Sequence, residues 1–403
     1  MRSALKTEVK AKFITFGCRL NRAEALDDEA RFIADGWEAT DSDGKADVFV
    51  VRGCSVTARA QRECEKLIAG LKRKHPQATV LVRGCLPGKT DDSFRPMLPL
   101  SGKTSVPGNK DSLPLRTARA YLKVQDGCSG NCTFCIVPKF RGKSRSVAFD
   151  ELVERAKRFI DAGYREIVVT GCNLSLYASQ GKRLAELLAA LAGLDGGVRI
   201  RLGSLEPGER ACESVHAIAE HANICRFLHI PVQSGSERIL KAMQRPYTVE
   251  AVEELVGLAT SLVGDIALGC DMMAGFPGES QTDFLESVKL LNRCRFTNAH
   301  VFPYSECPGT PAAAFPSPIP REIRSARAKQ LAKIAERERQ RFKSGFIGQE
   351  VEVVIENEEK SAGWTSQYLW FERSRPQSEN APKRREIAVF TVSEIKNGIL
   401  RGT

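Results

Sequence analysis

Three short apolar runs, each closing on Gly-Cys, do more than any other feature to limit what this chain can fold into. They are Phe13-Ile14-Thr15-Phe16-Gly17-Cys18, Val48-Phe49-Val50-Val51-Arg52-Gly53-Cys54 and Val80-Leu81-Val82-Arg83-Gly84-Cys85. Each is rich in β-branched and aromatic residues, and its glycine lets the backbone turn tightly where the run stops. Between the runs, at about 22–36 and 58–74, apolar residues recur at helical spacing. The alternation reads as βαβαβ around a parallel sheet, and unbroken apolar runs suit parallel strands covered on both faces. Cys18, Cys54 and Cys85 then fall at the carboxyl ends of parallel strands, the edge where open α/β sheets bind ligands. Three thiolates converging there make a three-Cys iron–sulfur site. The alternative is three separate buried cysteines, a residue type often found inside.

A second trio, Cys128, Cys132 and Cys135, has the spacing C-x3-C-x2-C in one loop. Three thiolates on one loop can ligate three irons of a cubane cluster and leave the fourth without a protein ligand, whereas such clusters are ordinarily held by four Cys. An open position is how a metal site binds something else, as at catalytic zinc. Zinc itself would call for paired C-x2-C motifs or His, and no His lies within 40 residues of Cys135. The odd count of 13 Cys argues against a disulfide framework. Cys64, Cys212, Cys225, Cys270 and Cys294 read as small core residues.

The middle of the chain repeats strand and helix. Strands are expected at 121–125, 166–170, 198–202, 227–230, 266–273 and 299–302, with helices at about 149–162 and 182–192. Six such strands describe a partial (β/α)6 barrel, whose functional groups sit at the strand carboxyl ends. A Pro-rich stretch at 307–320 cannot be helix interior. The helix expected after it, 321–343, holds nine Lys/Arg against three Glu, which makes it either a solvated face or a phosphate path. Runs at 351–355, 368–371 and 387–392 read as strands of a small antiparallel barrel. The fold class is therefore α/β: an N-terminal parallel α/β domain (1–115), a partial (β/α)6 barrel (116–343) and a small C-terminal antiparallel β-barrel (344–403).

The formal charge of +11 favours a polyanionic partner. No segment reaches the roughly 18 uninterrupted apolar residues of a membrane span, and the N-terminus lacks an apolar signal region. These features, with oxidation-sensitive open clusters, point to a reducing cytoplasm and no membrane partner. Five scattered His residues give no hydrolytic triad or zinc hydrolase site. His229, at the start of a strand-end motif, is read as a supporting group.

Two three-Cys sites in one chain resemble the radical S-adenosylmethionine (SAM) methylthiotransferases, and further motifs extend the likeness from about residue 11 to the C-terminus. Val137-Pro138 and Arg141-Gly142-Lys143-Ser144-Arg145-Ser146 follow the cysteine loop as in that family. Thr170-Gly171-Cys172-Asn173 is similar to its Thr-Gly-x-Asn strand end, and Ser204-Leu205-Glu206-Pro207 to its Ser-x-Glu-Pro. The stretches 229–236, 271–279 and 302–305 complete the set. Gly275-Phe276-Pro277-Gly278-Glu279 lacks the Gly-Lys-Ser/Thr of a phosphate loop and reads as a tight rim turn. The tail looks like the family's TRAM module, with Gly363-Trp364-Thr365-Ser366-Gln367-Tyr368 in place of Gly-Tyr-Thr-x-x-Tyr. Its Trp364 and Trp370 are either bases' stacking partners or core residues.

The resemblance implies two 4Fe-4S clusters and SAM as cofactors. The Cys128/Cys132/Cys135 cluster would chelate SAM through its open iron and deliver the electron that cleaves it to a 5′-deoxyadenosyl radical. That radical would take hydrogen from C2 of a modified adenine. The Cys18/Cys54/Cys85 cluster would hold the sulfur species that attacks the carbon radical, and a second SAM would give the methyl group. Candidate SAM contacts are the backbone beside Phe134 for adenine, Gly171 for close approach, and Ser204, Glu206 and Gln233 for ribose or methionyl groups. Each stands against the alternative of a structural turn or hydrogen bond. Implied partners are the tRNA anticodon stem-loop, a sulfur donor and an external electron donor such as flavodoxin.

Within the family the motifs look most like the branch acting on N6-threonylcarbamoyladenosine. The branches acting on N6-isopentenyladenosine and on an aspartate of a ribosomal protein follow. Two departures touch the N-terminal cysteines: Arg52-Gly53-Cys54 replaces the usual Asn-Thr-Cys, and Gly84-Cys85-Leu86-Pro87-Gly88 replaces Gly-Cys-Tyr-Ala-Gln. A reading from another class is a non-catalytic iron–sulfur protein that binds RNA or senses redox state.

Overall fold

The computed structural model describes residues 9–54, 58–86, 117–374 and 381–403. Two compact units emerge, one from Met1–Arg116 with Ile136–Gly142 and the other from Thr117–Cys135 with Lys143–Thr403.

The first unit holds β1 (Lys10–Thr15), α1 (Arg19–Ala34), β2 (Glu38–Ala39), β3 (Val48–Gly53), α2 (Ala58–Lys74) and β4 (Thr79–Gly84). All pairings in its sheet are parallel, in the order β2-β1-β3-β4. Phe49, Val51, Val80 and Val82 meet Ile68 and Leu71 of α2 on one face, while Val48, Val50 and Leu81 meet Phe32 on the other. Burial on both faces explains the unbroken apolar runs. Helix α1 starts at Arg19, earlier than its periodicity indicates, because Cys18 is extended (φ −81°, ψ 170°) and the turn begins directly after it. Gly36, at φ +87°, follows the helix end in a conformation that favours glycine. The short helix α3 (Val137–Arg141) carries Pro138 in its first turn and ends at Gly142, φ +72°. The middle-domain bounds drawn from sequence enclose α3, yet it groups with the first unit, where the Arg141 side chain finds its partners.

The second unit opens with β5 (Ala120–Lys123) and a two-residue pair, β6 (Gln125–Asp126) with β7 (Arg145–Ser146). Next come α4 (Phe149–Asp161), β8 (Glu166–Thr170), the small hairpin β9 (Ala178–Ser179) and β10 (Lys182–Arg183), α5 (Leu184–Ala192) and β11 (Arg199–Leu202). Then follow α6 (Glu209–Glu220), β12 (Phe227–Gln233), α7 (Glu237–Ala242), α8 (Val249–Leu262), β13 (Ala267–Ala274), α9 (Gln281–Cys294) and β14 (Asn298–Pro303). Strands β5, β8 and β11 pair in parallel, as do β12, β13 and β14. Parallel bridges Ile200–Ile224 and Ser204–His229 join the halves into the expected six-stranded partial barrel. Cys64, Cys225, Cys270 and Cys294 are buried, as expected; Cys212 is half-buried.

Helix α10 (Arg321–Ser344) packs against β14 and β13, burying Ala328, Leu331 and Ala335. Much of its charge is used internally. Arg327 pairs with buried Glu279 (2.6 Å), Arg324 with Glu306 (2.8 Å), and Arg339 donates to the Thr297 carbonyl. The exposed side chains of Lys329 and Lys333 make no ion pair or hydrogen bond among the described residues.

The C-terminal barrel has five strands: β15 (Glu350–Asn357), β16 (Ala362–Thr365), β17 (Trp370–Arg373), β18 (Ile387–Lys396) and β19 (Ile399–Gly402), closed in the order β15-β16-β17-β19-β18. Its pairings are antiparallel except β17 with β19, which is parallel. Strands β16 and β19 escaped the sequence reading because each is short and carries a glycine. At those glycines the neighbouring strand's backbone comes close: a Cβ on Gly363 would lie 1.8 Å from the Val354 oxygen, and one on Gly402 1.7 Å from that of Thr391. Trp364 stacks on Tyr368 (4.5 Å, 19°), meets Trp370 edge-on and faces Arg119 of the larger barrel. Its ring is therefore a packing element.

Candidate functional site

In the first unit the three Gly-Cys ends meet. A Cβ on Gly17 (φ +88°) would lie 2.6 Å from the Cys54 Cβ and 2.8 Å from its Sγ, so only glycine lets Cys54 pack there. The Cys85 amide donates to the Gly53 carbonyl (3.2 Å). Asn21, buried in the first turn of α1, donates to the carbonyls of Phe16 (2.9 Å) and Gly53 (2.8 Å) and so ties two strand ends together. Cys18 is exposed; Cys54 and Cys85 are buried. Burial pushes the Cys85 thiol up, against the lowering effect of Arg141, whose Nε donates to Cys85 Sγ at 3.1 Å. Arg52, the departure from the family's Asn, does not face solvent. It pairs with Glu24 (2.6 Å) and Asp28 (2.7 Å). Pro87 and Gly88 of the other departure lie outside the described residues.

In the second unit the cysteine loop is anchored on both sides. Thr133 donates through its amide to the Met243 carbonyl (3.1 Å) and through its hydroxyl to that of Ala242 (3.0 Å). Its own carbonyl accepts from the Ala312 amide (2.8 Å). The Phe134 side chain packs against the cluster that holds Ile239, Met243, Phe276 and Tyr304. A Cβ on Gly130 would lie 3.3 Å from Cys128 Sγ and 3.9 Å from Cys132 Sγ, so the two sulfurs share a cradle that a side chain would fill. The Gly130 amide donates to Cys128 Sγ at 3.3 Å. Burial pushes the Cys128 thiol up, and this N–H and Asn173 oppose it.

Three residues that the sequence reading left without a role organise this site. Gln125, wholly buried, donates to the Gly127 carbonyl (2.6 Å) and to Ser144 Oγ (2.8 Å), and accepts from the Asn173 amide (2.9 Å). Asn173 donates to Glu206 at 2.5 Å. Arg245 donates to Cys132 Sγ (3.0 Å) and to Glu206 (2.6 Å), and its Nε reaches the Tyr247 hydroxyl (2.7 Å). Glu206 is thus drawn to the cysteine loop. Gly171 is close-packed against Gln125, whose Oε1 would lie 2.9 Å from an added Cβ. Ser204 is exposed at its strand end. Gln233 is buried at φ +65°, and its Oε1 has no hydrogen-bond partner among the described residues. An orphaned buried acceptor beside strand ends is what a bound polar ligand would satisfy. Gly275, at φ +75°, donates to Glu279 and is the tight rim turn expected.

Lower in the same barrel, Asp271 accepts from His229 (3.1 Å) and His300 (3.3 Å). Burial raises its pKa, but these two bonds outweigh it and hold the carboxyl well below the usual range.

The donor sets suit soft metals: three thiolates each, with N–H donors on sulfur. The radical SAM superfamily matches residues 122–291, and an uncharacterized protein family, UPF0004, matches residues 10–100. A threonylcarbamoyladenosine tRNA methylthiotransferase, MtaB, of Aquifex aeolicus is 32% identical over 87% of this chain and 94% of its own length. A tRNA-2-methylthio-N(6)-dimethylallyladenosine synthase of Chlorobium chlorochromatii is 31% identical over 86% of each. In fold, the chain is similar to the radical SAM methyltransferase TsrM of Kitasatospora setae, with TM-score 0.54 and 14% identity over 76% of this chain and 77% of that one. With relatives at 30% identity or more matched over most of their own length, this chain belongs to the radical SAM methylthiotransferase family.

Proposed function

We propose that this protein is a tRNA methylthiotransferase that places a methylthio group on C2 of N6-threonylcarbamoyladenosine beside the anticodon. The observation that carries the reading is the pair of three-cysteine sites, each at strand carboxyl ends, in a chain several of whose relatives bear that activity in their names. Cys128, Cys132 and Cys135 hold one 4Fe-4S cluster, and Cys18, Cys54 and Cys85 the other. When bound, the first cluster and SAM supply the radical that activates C2, and the second supplies the site of sulfur transfer.

The chain's own groups bind and orient. Thr133 fixes the cysteine loop against α7, and Arg245 sets the direction of Cys132 while neutralising Glu206. Glu206 then offers SAM a carboxylate already fixed by Asn173 and Arg245, and Gln233 Oε1 offers an acceptor that no other group among the described residues occupies. Gly171 keeps Gln125 in place beneath the loop. Division of labour follows 1–115 for sulfur transfer, 116–343 for the radical step and 344–403 with α10 for RNA, where Lys329 and Lys333 meet phosphates. A cytoplasmic one-electron donor such as flavodoxin and a sulfur donor complete the system.

Mass spectrometry of tRNA nucleosides, comparing a deletion strain with its complemented counterpart, tests this. The expected result is loss of the 2-methylthio-N6-threonylcarbamoyl nucleoside and accumulation of its precursor. An unchanged level rejects the reading; loss of the isopentenyl nucleoside's methylthio form instead would move the protein to that branch.

A further inference from the structure

Five side chains of the first unit form one network of ions. Arg52 bridges Glu24 and Asp28, Arg83 reaches Asp28 (3.1 Å), and Arg141 grips Glu24 through both terminal nitrogens (2.9 and 3.1 Å). Among these five, three are cations and two are anions. A second nitrogen contact of Arg141, to Asn21 Oδ1 (2.8 Å), ties it to the side chain that pins the ends of β1 and β3. With its fork held this way, the remaining nitrogen, Nε, is aimed at Cys85 Sγ (3.1 Å). An Arg fork gripped by a carboxylate is a rigid device. Buried charge needs compensation; Glu24 gives it to Arg141, whose Nε–H is left facing a sulfur.

We propose that Arg141 is a positioning residue for the cluster held by Cys18, Cys54 and Cys85: it fixes the Cys85 thiolate and raises that cluster's reduction potential. This rests on the reading that those cysteines hold a cluster. Hydrogen bonds to ligand sulfurs and the net charge around them are what set iron–sulfur potentials. An N–H···S bond from a cation withdraws charge from the thiolate, so the form with one more electron is favoured. Glu24 works in the opposite sense, because it holds Arg141 and also offsets its charge.

The test uses the full-length chain with Cys128, Cys132 and Cys135 each replaced by Ala, reconstituted anaerobically with iron and sulfide so that one site is loaded. Potential is followed by electron paramagnetic resonance during titration with dithionite. Into this parent go Arg141→Gln, Arg141→Lys and Glu24→Gln. Iron content near four per chain is expected in all. At fixed solution potential, Arg141→Gln should lower the reduced-to-oxidised ratio about tenfold or more, equivalent to about 59 mV for one electron. Arg141→Lys should fall between, and Glu24→Gln should shift the other way. Opposite signs would not arise from general loosening of the fold. A loaded Arg141→Gln protein with unshifted potential, or shifts of the same sign in the Gln variants, overturns the proposal. If Arg141→Gln loads no iron, Arg141→Lys and Glu24→Gln decide it, and unshifted potentials in both overturn it. A parent that takes up no iron removes the reading beneath it, a result distinct from either.

Discussion

At the scale of single residues, Arg245 joins Cys132 Sγ to the carboxylate of Glu206. Spacing alone singles out Cys128, Cys132 and Cys135 as candidates, because residues of one loop are close in sequence. Arg245 stands 113 positions from Cys132 and is one arginine among many; only the barrel brings the two within 3.0 Å. Gln125 and Asn173 likewise act through contacts across strands, and such contacts leave no periodic trace. The weight of Arg245 can be measured. Arg245→Met leaves Glu206 and Cys132 without their shared cation in a largely buried place. Loss of a group that orients a metal ligand commonly costs about 10–100-fold in metal affinity or activity. The expected outcome is a drop of that order in 5′-deoxyadenosine formation by the dithionite-reduced enzyme, with the tRNA-binding affinity unchanged. Retention of full cleavage would assign Arg245 a packing role alone.

At the scale of elements, parallel strands announced themselves through unbroken apolar runs, and the glycine-bearing strands of the small barrel did not. Nor did the sequence disclose how that small barrel is seated. Buried Glu166 of β8 binds Arg199 (2.6 Å) and Arg201 (2.8 Å) of β11. Arg199 donates onward to the carbonyls of Glu352 and Trp364, and Arg201 to those of Thr365 and Ser366. One carboxylate thus holds two arginines that clamp β15 and β16. Burial pushes the Glu166 carboxyl up, and Arg201 and Arg199 overcome that and hold it below the usual range. A carboxylate with a lowered folded pKa adds stability that is fully present above its unfolded value of about 4.3 and is lost as pH falls. Glu166→Gln leaves two buried guanidinium groups without their anion, a change worth about 3–5 kcal/mol. Its melting temperature should fall below that of the parent most at pH 7, and the gap should narrow below about pH 4. A gap independent of pH would show that the charge of Glu166 is not what seats the barrel.

At the scale of the whole molecule, the +11 charge proves less available than its total suggests, since several arginines of α10 and β11 are spent on internal pairs and carbonyls. What remains on α10 includes Lys329 and Lys333, one turn apart and exposed. Phosphate contacts release counterions, so tRNA affinity should drop steeply between about 50 and 200 mM salt. The double change Lys329→Glu/Lys333→Glu should weaken binding and flatten that slope, and it should leave SAM cleavage without tRNA intact. An unchanged slope would move the RNA path away from α10.

The grouping of Ile136–Gly142 with Met1–Arg116 bears on how such proteins can be recombined. A unit assembled from two separated stretches is not a cassette. Exchanging only 1–116 with a relative would pair one parent's Asn21, Glu24 and Cys85 with the other parent's residue 141. Functional chimeras in this family should therefore be those that carry both stretches across together, and inherited changes in one stretch should be tolerated only when the other changes with it.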